Sequence, residues 1–162
     1  MAFPKTNEVS EYFKGRITWW YQTTLNNVKF KQLLNDHWLK FILYWMIFDA
    51  YLTEISQNSQ DEQRLKYFFE NSSDFKSHIV NKKISAKELK KLSPVRDMRP
   101  NHNERAVLND ENDLEQVFRF LYKIRCNLFH GAEDIKNTKD DSLVREGAKY
   151  LELVIESWIT GQ

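Results

Sequence analysis

Helical spacing of the large apolar side chains is the feature that most constrains this chain. These side chains recur at steps of three and four residues from Trp38 to Ile55, and apolar positions of two further helices run from Leu114 to Leu128 and from Leu143 to Trp158. Such spacing places them on one face of a helix. Alternation at every second residue is not sustained anywhere, and only four glycines and three prolines interrupt the 162 residues. The sequence therefore predicts an all-α fold.

Capping residues indicate where some of the predicted helices start. Asp36 is a suitable N-cap for the second long helix, and Ser85 with Glu88 has the spacing of a capping box. The second helix is apolar on both sides, which predicts a central position. The predicted long helices cover residues 8–26, 36–56 and 113–129, with a last one from Asp141 or Ser142, and the short helices cover 61–70, 74–80 and 85–92. This order predicts a helical bundle with short accessory helices between its second and penultimate long members.

Residues 93–112 form the one long segment without a helical pattern. A structureless loop of this length inside a compact domain is uncommon, and it is often functional. The segment carries Arg96, Arg99 and Arg105. Because a loop can close over a cleft, we expect these three arginines to contact an anionic substrate.

Composition limits the classes of protein to consider. The length fits a single domain over residues 1–162. A net charge of +1 means that any contact with nucleic acid must come from a local patch. The single cysteine excludes an intrachain disulfide and fits a reducing cytoplasm. The first ten residues lack a signal-peptide pattern, and the longest apolar run, 41–48, is far too short for a membrane span. We expect a cytoplasmic protein without membrane association.

The segment from Arg125 to Gly131, Arg-Cys-Asn-Leu-Phe-His-Gly, lies at the end of a predicted helix. Arg125 carries a permanent positive charge that can hold a phosphate bidentately. His130 can move protons near neutral pH, because the ordinary pKa of histidine is about 6.5. Together they are sufficient for metal-free cleavage of a phosphodiester. On an ideal helix they are about 140° apart, so either the helix unwinds near Gly131 or two copies share the site.

Structural roles for the same residues remain open at this point. Arg125 interrupts an apolar stripe and could pair with Asp49, which interrupts another. His130 could cap a helix end, where its charge favours the helix dipole. Asn127 shares a face with His130 and could fix the imidazole, contact a phosphate, or face water. Cys126 is expected to be a small apolar filler.

Basic residues near the motif have two interpretations. Arg119 and Lys123 lie on the same side of the helix as His130, and they either extend a phosphate track or form a solvated face. The lysine cluster 82, 83, 87, 90 and 91 has the same two interpretations. The four histidines lack metal-ligand spacing, and the chain has no glycine-rich phosphate loop. We therefore expect neither a metal nor a cofactor.

The motif at 125–130 resembles the Arg-x-x-x-x-His motif of HEPN domains. Residues 43–51 are similar to the aromatic-rich second helix of that family, in which relatives often carry Asn where Asp49 stands. The resemblance implies a HEPN-like bundle and a metal-independent endoribonuclease, often a toxin or defence factor with a neutralising partner such as an antitoxin. It implies a homodimer in which Arg125 and His130 of both protomers line one cleft. One branch carries a modifiable tyrosine two residues after the motif histidine; Ala132 stands there, so we expect no such regulation.

The expected mechanism follows from these roles. His130 would take the proton of a ribose 2′-hydroxyl or protonate the leaving 5′-oxygen, and Arg125 would stabilise charge on the phosphate. Asn127 and Asp49 would support them, and RNA contacts would come from Arg119, Lys123 and the loop arginines. Two alternatives remain: a catalytically inactive HEPN module that binds RNA or a nucleotide, and a helical scaffold in which Arg125 only forms an ion pair.

Overall fold

The computed structural model describes residues 35–56, 60–96, 105–129 and 136–160. Most of these residues are helical, which confirms the all-α prediction. The predicted helix over 8–26 lies outside the described residues. The elements in chain order are α1 (His37–Ser56), α2 (Asp61–Asn71), α3 (Ser73–Asn81), α4 (Lys87–Lys91), β1 (Val95–Arg96), β2 (Arg105–Ala106), α5 (Leu114–Phe129) and α6 (Thr138–Thr160).

Side-chain caps fix the starts of the long helices. The Asp36 carboxylate accepts hydrogen bonds from the backbone N–H groups of Trp38 at 2.8 Å and Leu39 at 3.3 Å. Asp113 accepts in the same way from Glu115 at 3.0 Å and Gln116 at 3.2 Å. These bonds satisfy amide groups that have no partner within the helix. Helices α1 and α5 therefore begin within a residue of the predicted positions.

Two predicted helix starts are wrong. Helix α6 begins at Thr138, earlier than expected, because Asn137 accepts a hydrogen bond from the Lys139 backbone N–H at 2.9 Å. The predicted capping box of α4 is absent: the N-cap is Ala86, without a side-chain bond. The Ala86 backbone N–H instead donates to the Glu111 carbonyl at 3.1 Å. A contact distant in sequence thus fixes the start of α4.

The core is built from aromatic side chains on α1, α2 and α5. The Phe48 ring lies at the centre, with ring centroids 4.4 Å from Phe118 and 5.4 Å from Phe68. Helix α1 also packs along α6 through the buried residues Phe41 and Tyr44. Within the described ranges, no helix combines the length and the apolar content needed to cross a bilayer.

The predicted burial of α1 on both sides is only partly confirmed. Its core-facing residues are buried, but Met46 is 48% exposed and Leu39 is 38% exposed. These two residues are seven positions apart and share one face of the helix. Among the described residues, that apolar face is left partly open to solvent.

A short hairpin occupies part of the segment predicted to be a loop. Val95 pairs with Ala106 and Arg96 pairs with Arg105 in antiparallel register. Val95 is buried, and Leu108, just past the second strand, is buried as well. Strands of two residues are too short to produce a detectable alternation of apolar and polar residues, so the sequence pattern gave no indication of them.

Candidate functional site

Arg125 lies in the last turns of α5 and is held from two sides. Its Nη1 donates to Asp61 Oδ2 on α2 across 3.4 Å, and its guanidinium carbon is 4.7 Å from the centroid of the Phe129 ring. The Arg125 side chain is 25% exposed. The Phe129 ring is 54% exposed and covers one face of the guanidinium as a cation–π partner. The positive charge thus sits at the edge of the bundle rather than inside it.

Asp61 is shared with a second arginine. Arg64, one turn along α2, contacts the Asp61 carboxylate and the Thr53 hydroxyl. Its Nη2 also lies 3.1 Å from Asp49 Oδ1. Arg64 is much more buried than Arg125, with 9% of the residue exposed. The alternative in which Arg125 forms an ion pair is therefore right about the kind of contact but wrong about the partner. Arg125 pairs with Asp61, and Asp49 pairs directly with Arg64.

The contact between Arg125 and Asp61 is loose. A charge-assisted N–H···O bond is normally about 2.7–2.9 Å long, and this one measures 3.4 Å. Within the described part of the chain, the buried Nε atoms of Arg125 and Arg64 have no acceptor. An unsatisfied buried donor costs about 1–3 kcal/mol. Arg125 is consequently only partly neutralised by its protein partner.

The four charged groups influence one another. Burial raises the pKa of Asp49 above its ordinary value of 3.8; Arg64 opposes this rise, Asp61 adds to it, and Arg125 opposes it more weakly. Asp49 is thus within electrostatic reach of Arg125 without being its hydrogen-bonded partner. We call Asp49, Asp61, Arg64 and Arg125 the charge cluster.

Asn127 is buried, with 2% of its surface exposed, and its amide donates to the Arg96 carbonyl at 2.8 Å. The interpretation in which it faces water is therefore wrong. Residues two apart on a helix differ by about 200° in direction, so Asn127 and Arg125 project to opposite sides of α5. The hairpin lies on the Asn127 side and the charge cluster on the other.

The remaining residues that were predicted to contact RNA lie at separate places in the structure. Arg96 and Arg105 are brought together across the hairpin, and both are exposed. Arg119 is exposed but forms an ion pair with Glu115 at 2.9 Å, one turn back on its own helix. Lys123 is half-buried, and Cys126 is buried, as expected of a small apolar residue.

His130 and Arg99 lie outside the described residues, so the pairing of His130 with Arg125 stays a prediction.

Asp61, Arg64 and Phe129 were missed by sequence reasoning. The spacing of Asp61 and Arg64 permits an ion pair on one helix, but nothing local links either residue to Arg125, 64 positions after Asp61. In the described ranges, no group of three or more His, Cys, Asp or Glu side chains is arranged to hold a metal ion.

Comparisons of the chain with protein-family models, with curated proteins and with solved structures found no match. The resemblance to HEPN domains therefore depends on the residues at 125–130 and 43–51 and on the helical architecture.

Proposed function

We propose that this protein is a metal-independent endoribonuclease of the HEPN type that acts as a homodimer. The observation that carries the proposal is the state of Arg125. Its guanidinium is partly exposed, is loosely bound to Asp61, and lies five residues before His130 in the sequence. A phosphate oxygen offers this guanidinium a better acceptor than a carboxylate at 3.4 Å.

The mechanism assigns one task to each residue. His130 takes the proton of the ribose 2′-hydroxyl or delivers a proton to the leaving 5′-oxygen. Arg125 stabilises the charge that builds on the phosphate oxygens as the 2′-oxygen attacks. The products are a 2′,3′-cyclic phosphate and a 5′-hydroxyl. In this scheme Asp61 and Phe129 position the guanidinium, and Asp49 acts through Arg64.

The proposal includes a dimer for two reasons: the directions in which Arg125 and His130 point, and the apolar side chains exposed on the protein surface. On an ideal helix Arg125 and His130 point about 140° apart, and a second copy can supply the missing group. Leu39 and Met46 on α1 and Phe129 on α5 are exposed apolar residues that a second copy could bury. We also propose a cytoplasmic toxin or defence effector that a partner protein neutralises.

A second candidate is a helical module without catalytic activity. The observation that favours it is the Arg125–Asp61 contact itself, because an arginine with a carboxylate partner can be purely structural. In that case the Arg125 side chain joins α5 to α2, and the protein neither cleaves RNA nor changes its affinity for RNA when Arg125 is replaced.

Cleavage of labelled RNA in the presence of a chelator tests the proposal. We expect wild type to produce 2′,3′-cyclic phosphate ends, detected by mass spectrometry, and to spare DNA. His130→Ala and Arg125→Lys should abolish cleavage, the latter because lysine cannot contact phosphate bidentately. Arg145→Lys, an exposed arginine that pairs with Asp141, is the matched control. Light scattering on the same samples gives the oligomeric mass.

The outcomes separate the candidates. Cleavage that persists in His130→Ala removes His130 from the mechanism. Absence of cleavage by wild type, with a folded protein and no effect of Arg125→Lys on RNA binding, supports the non-catalytic module.

A further inference from the structure

Arg96 and Arg105 face each other directly across the hairpin. Both side chains are exposed, and no carboxylate within the described ranges pairs with either guanidinium. Like charges placed directly opposite in an antiparallel pair destabilise it. The four residues of the two strands include no acidic side chain that could offset that repulsion. Among the described residues, the arrangement therefore lacks a counter-ion.

The other described arginines show the opposite behaviour. Each of them lies within ion-pair distance of a carboxylate: Arg64, Arg119, Arg125 and Arg145. In the part of the chain that the structure describes, the unpaired state of Arg96 and Arg105 is thus specific to the hairpin and not a general property of arginines.

The hairpin that presents the two arginines is anchored. The buried amide of Asn127 holds the Arg96 carbonyl, and the side chain of Val95 is buried. The Lys139 ammonium donates to the Pro94 carbonyl at 3.1 Å, which brings a further positive charge to the base of the hairpin. A fixed backbone reduces the entropy lost when the two side chains close on a ligand.

We propose that Arg96 and Arg105 together clamp one backbone phosphate of an RNA strand, at a subsite separate from Arg125. The choice of RNA rests on the proposed function. Two guanidinium groups can surround a phosphate with paired N–H donors. Such a contact positions the strand without reading its sequence.

The clamp cannot share its phosphate with Arg125 of the same protomer. The two arginines lie on the Asn127 side of α5 and Arg125 projects from the other side, while a helix with its side chains is about 10–12 Å across. An RNA strand that contacts both the clamp and Arg125 must therefore pass around the end of α5 or run between protomers.

Salt-dependent RNA binding by Arg96→Gln/Arg105→Gln tests the clamp. Fluorescence anisotropy with a labelled single-stranded RNA is measured from 50 to 200 mM salt. We expect affinity to fall about tenfold or more. The salt slope should become shallower by about 0.7, because the variant neutralises one phosphate fewer.

The control, Lys66→Gln/Lys149→Gln, removes two exposed charges elsewhere, on α2 and α6. It should bind RNA with nearly wild-type affinity and slope.

Arg105→Glu tests the clamp in a second way, because stability and RNA affinity should respond differently to it. It replaces a repulsive cross-strand pair by an attractive one, so Tm should stay the same or rise while RNA affinity falls. A merely structural role for Arg105 predicts that stability and affinity fall together.

Failure of the clamp and failure of the nuclease proposal are distinguishable. The clamp is overturned if Arg96→Gln/Arg105→Gln binds RNA as the lysine control does, even where His130-dependent cleavage is present. Weakened binding by this variant supports the clamp, even where wild type cleaves no RNA.

Discussion

Arg64 Nη2 lies 3.1 Å from Asp49 Oδ1, and this ion pair places a carboxylate beside the aromatic core. Asp49 directly follows Phe48, whose ring is at the centre of that core. Burial raises the pKa of Asp49, and the attraction of Arg64 only partly compensates. The net rise means that the folded protein binds a proton at Asp49 more tightly than the unfolded chain does.

Asp49→Asn should therefore change how stability depends on pH. The folded pKa of Asp49 lies above 3.8, so the stability that this group contributes is present below that pH and is lost as pH rises through the folded pKa. The free energy of unfolding of wild type minus that of Asp49→Asn should be larger at pH 4 than at pH 7. Urea denaturation at both values measures it. A difference that grows with rising pH would contradict the expected direction.

Asp61→Asn should lower stability and raise RNA affinity at once. The substitution removes the carboxylate that Arg64 and Arg125 share, which should cost about 1–3 kcal/mol of unfolding free energy. It also releases the Arg125 guanidinium for a phosphate, so RNA should bind more tightly. Urea denaturation and anisotropy are measured on the same protein, with the exposed Asp74→Asn as control. A loss of stability without a gain in RNA affinity would assign Arg125 a structural role only.

The helices could be predicted because their signals are local. Asp36 and Asp113 are caps that act within three residues, and the apolar stripe of α5 is buried where the spacing places it. Helix α4 is the counter-example. The Ser85 and Glu88 pattern is intact in the sequence, but a backbone hydrogen bond between Ala86 and Glu111 determines where this helix starts.

The site could be predicted only in part, for a related reason. The last turns of α5 were singled out because a permanently charged guanidinium, Arg125, precedes a titratable imidazole, His130, by five residues, which is a local observation. The choice of Asp61 over Asp49 as its partner depends on how α2 packs against α5, and no pattern along one helix contains that information. The position of Arg96 opposite Arg105 likewise depends on a hairpin that is too short to be recognised.

Asp141→Asn should weaken the contact between the starts of α1 and α6. The Asp141 carboxylate accepts from the Trp38 indole at 3.1 Å and lies 2.6 Å from His37 Nε2. The Trp38 bond first, and the His37 bond next, lower the pKa of Asp141 below 3.8. Its contribution to stability is therefore present above that pH and lost as pH falls through the folded pKa. Tm should be lower for the variant at pH 7, and the gap should narrow towards pH 2.

Gly147→Ala should destabilise the protein, although the same change in an exposed helix stabilises by about 1 kcal/mol. A Cβ at position 147 on α6 would lie 2.7 Å from Phe41 Cε2 and 3.2 Å from Leu121 Cδ2. Phe41 is fully buried, so its ring is enclosed by other core atoms. Overpacking of this kind costs about 1–3 kcal/mol, which outweighs the gain in helix propensity. Urea denaturation should show the loss, and Phe41→Leu added to Gly147→Ala should cost less than the two single changes summed. A stabilised Gly147→Ala variant would mean that the side chains of Phe41 and Leu121 can shift to admit the methyl group.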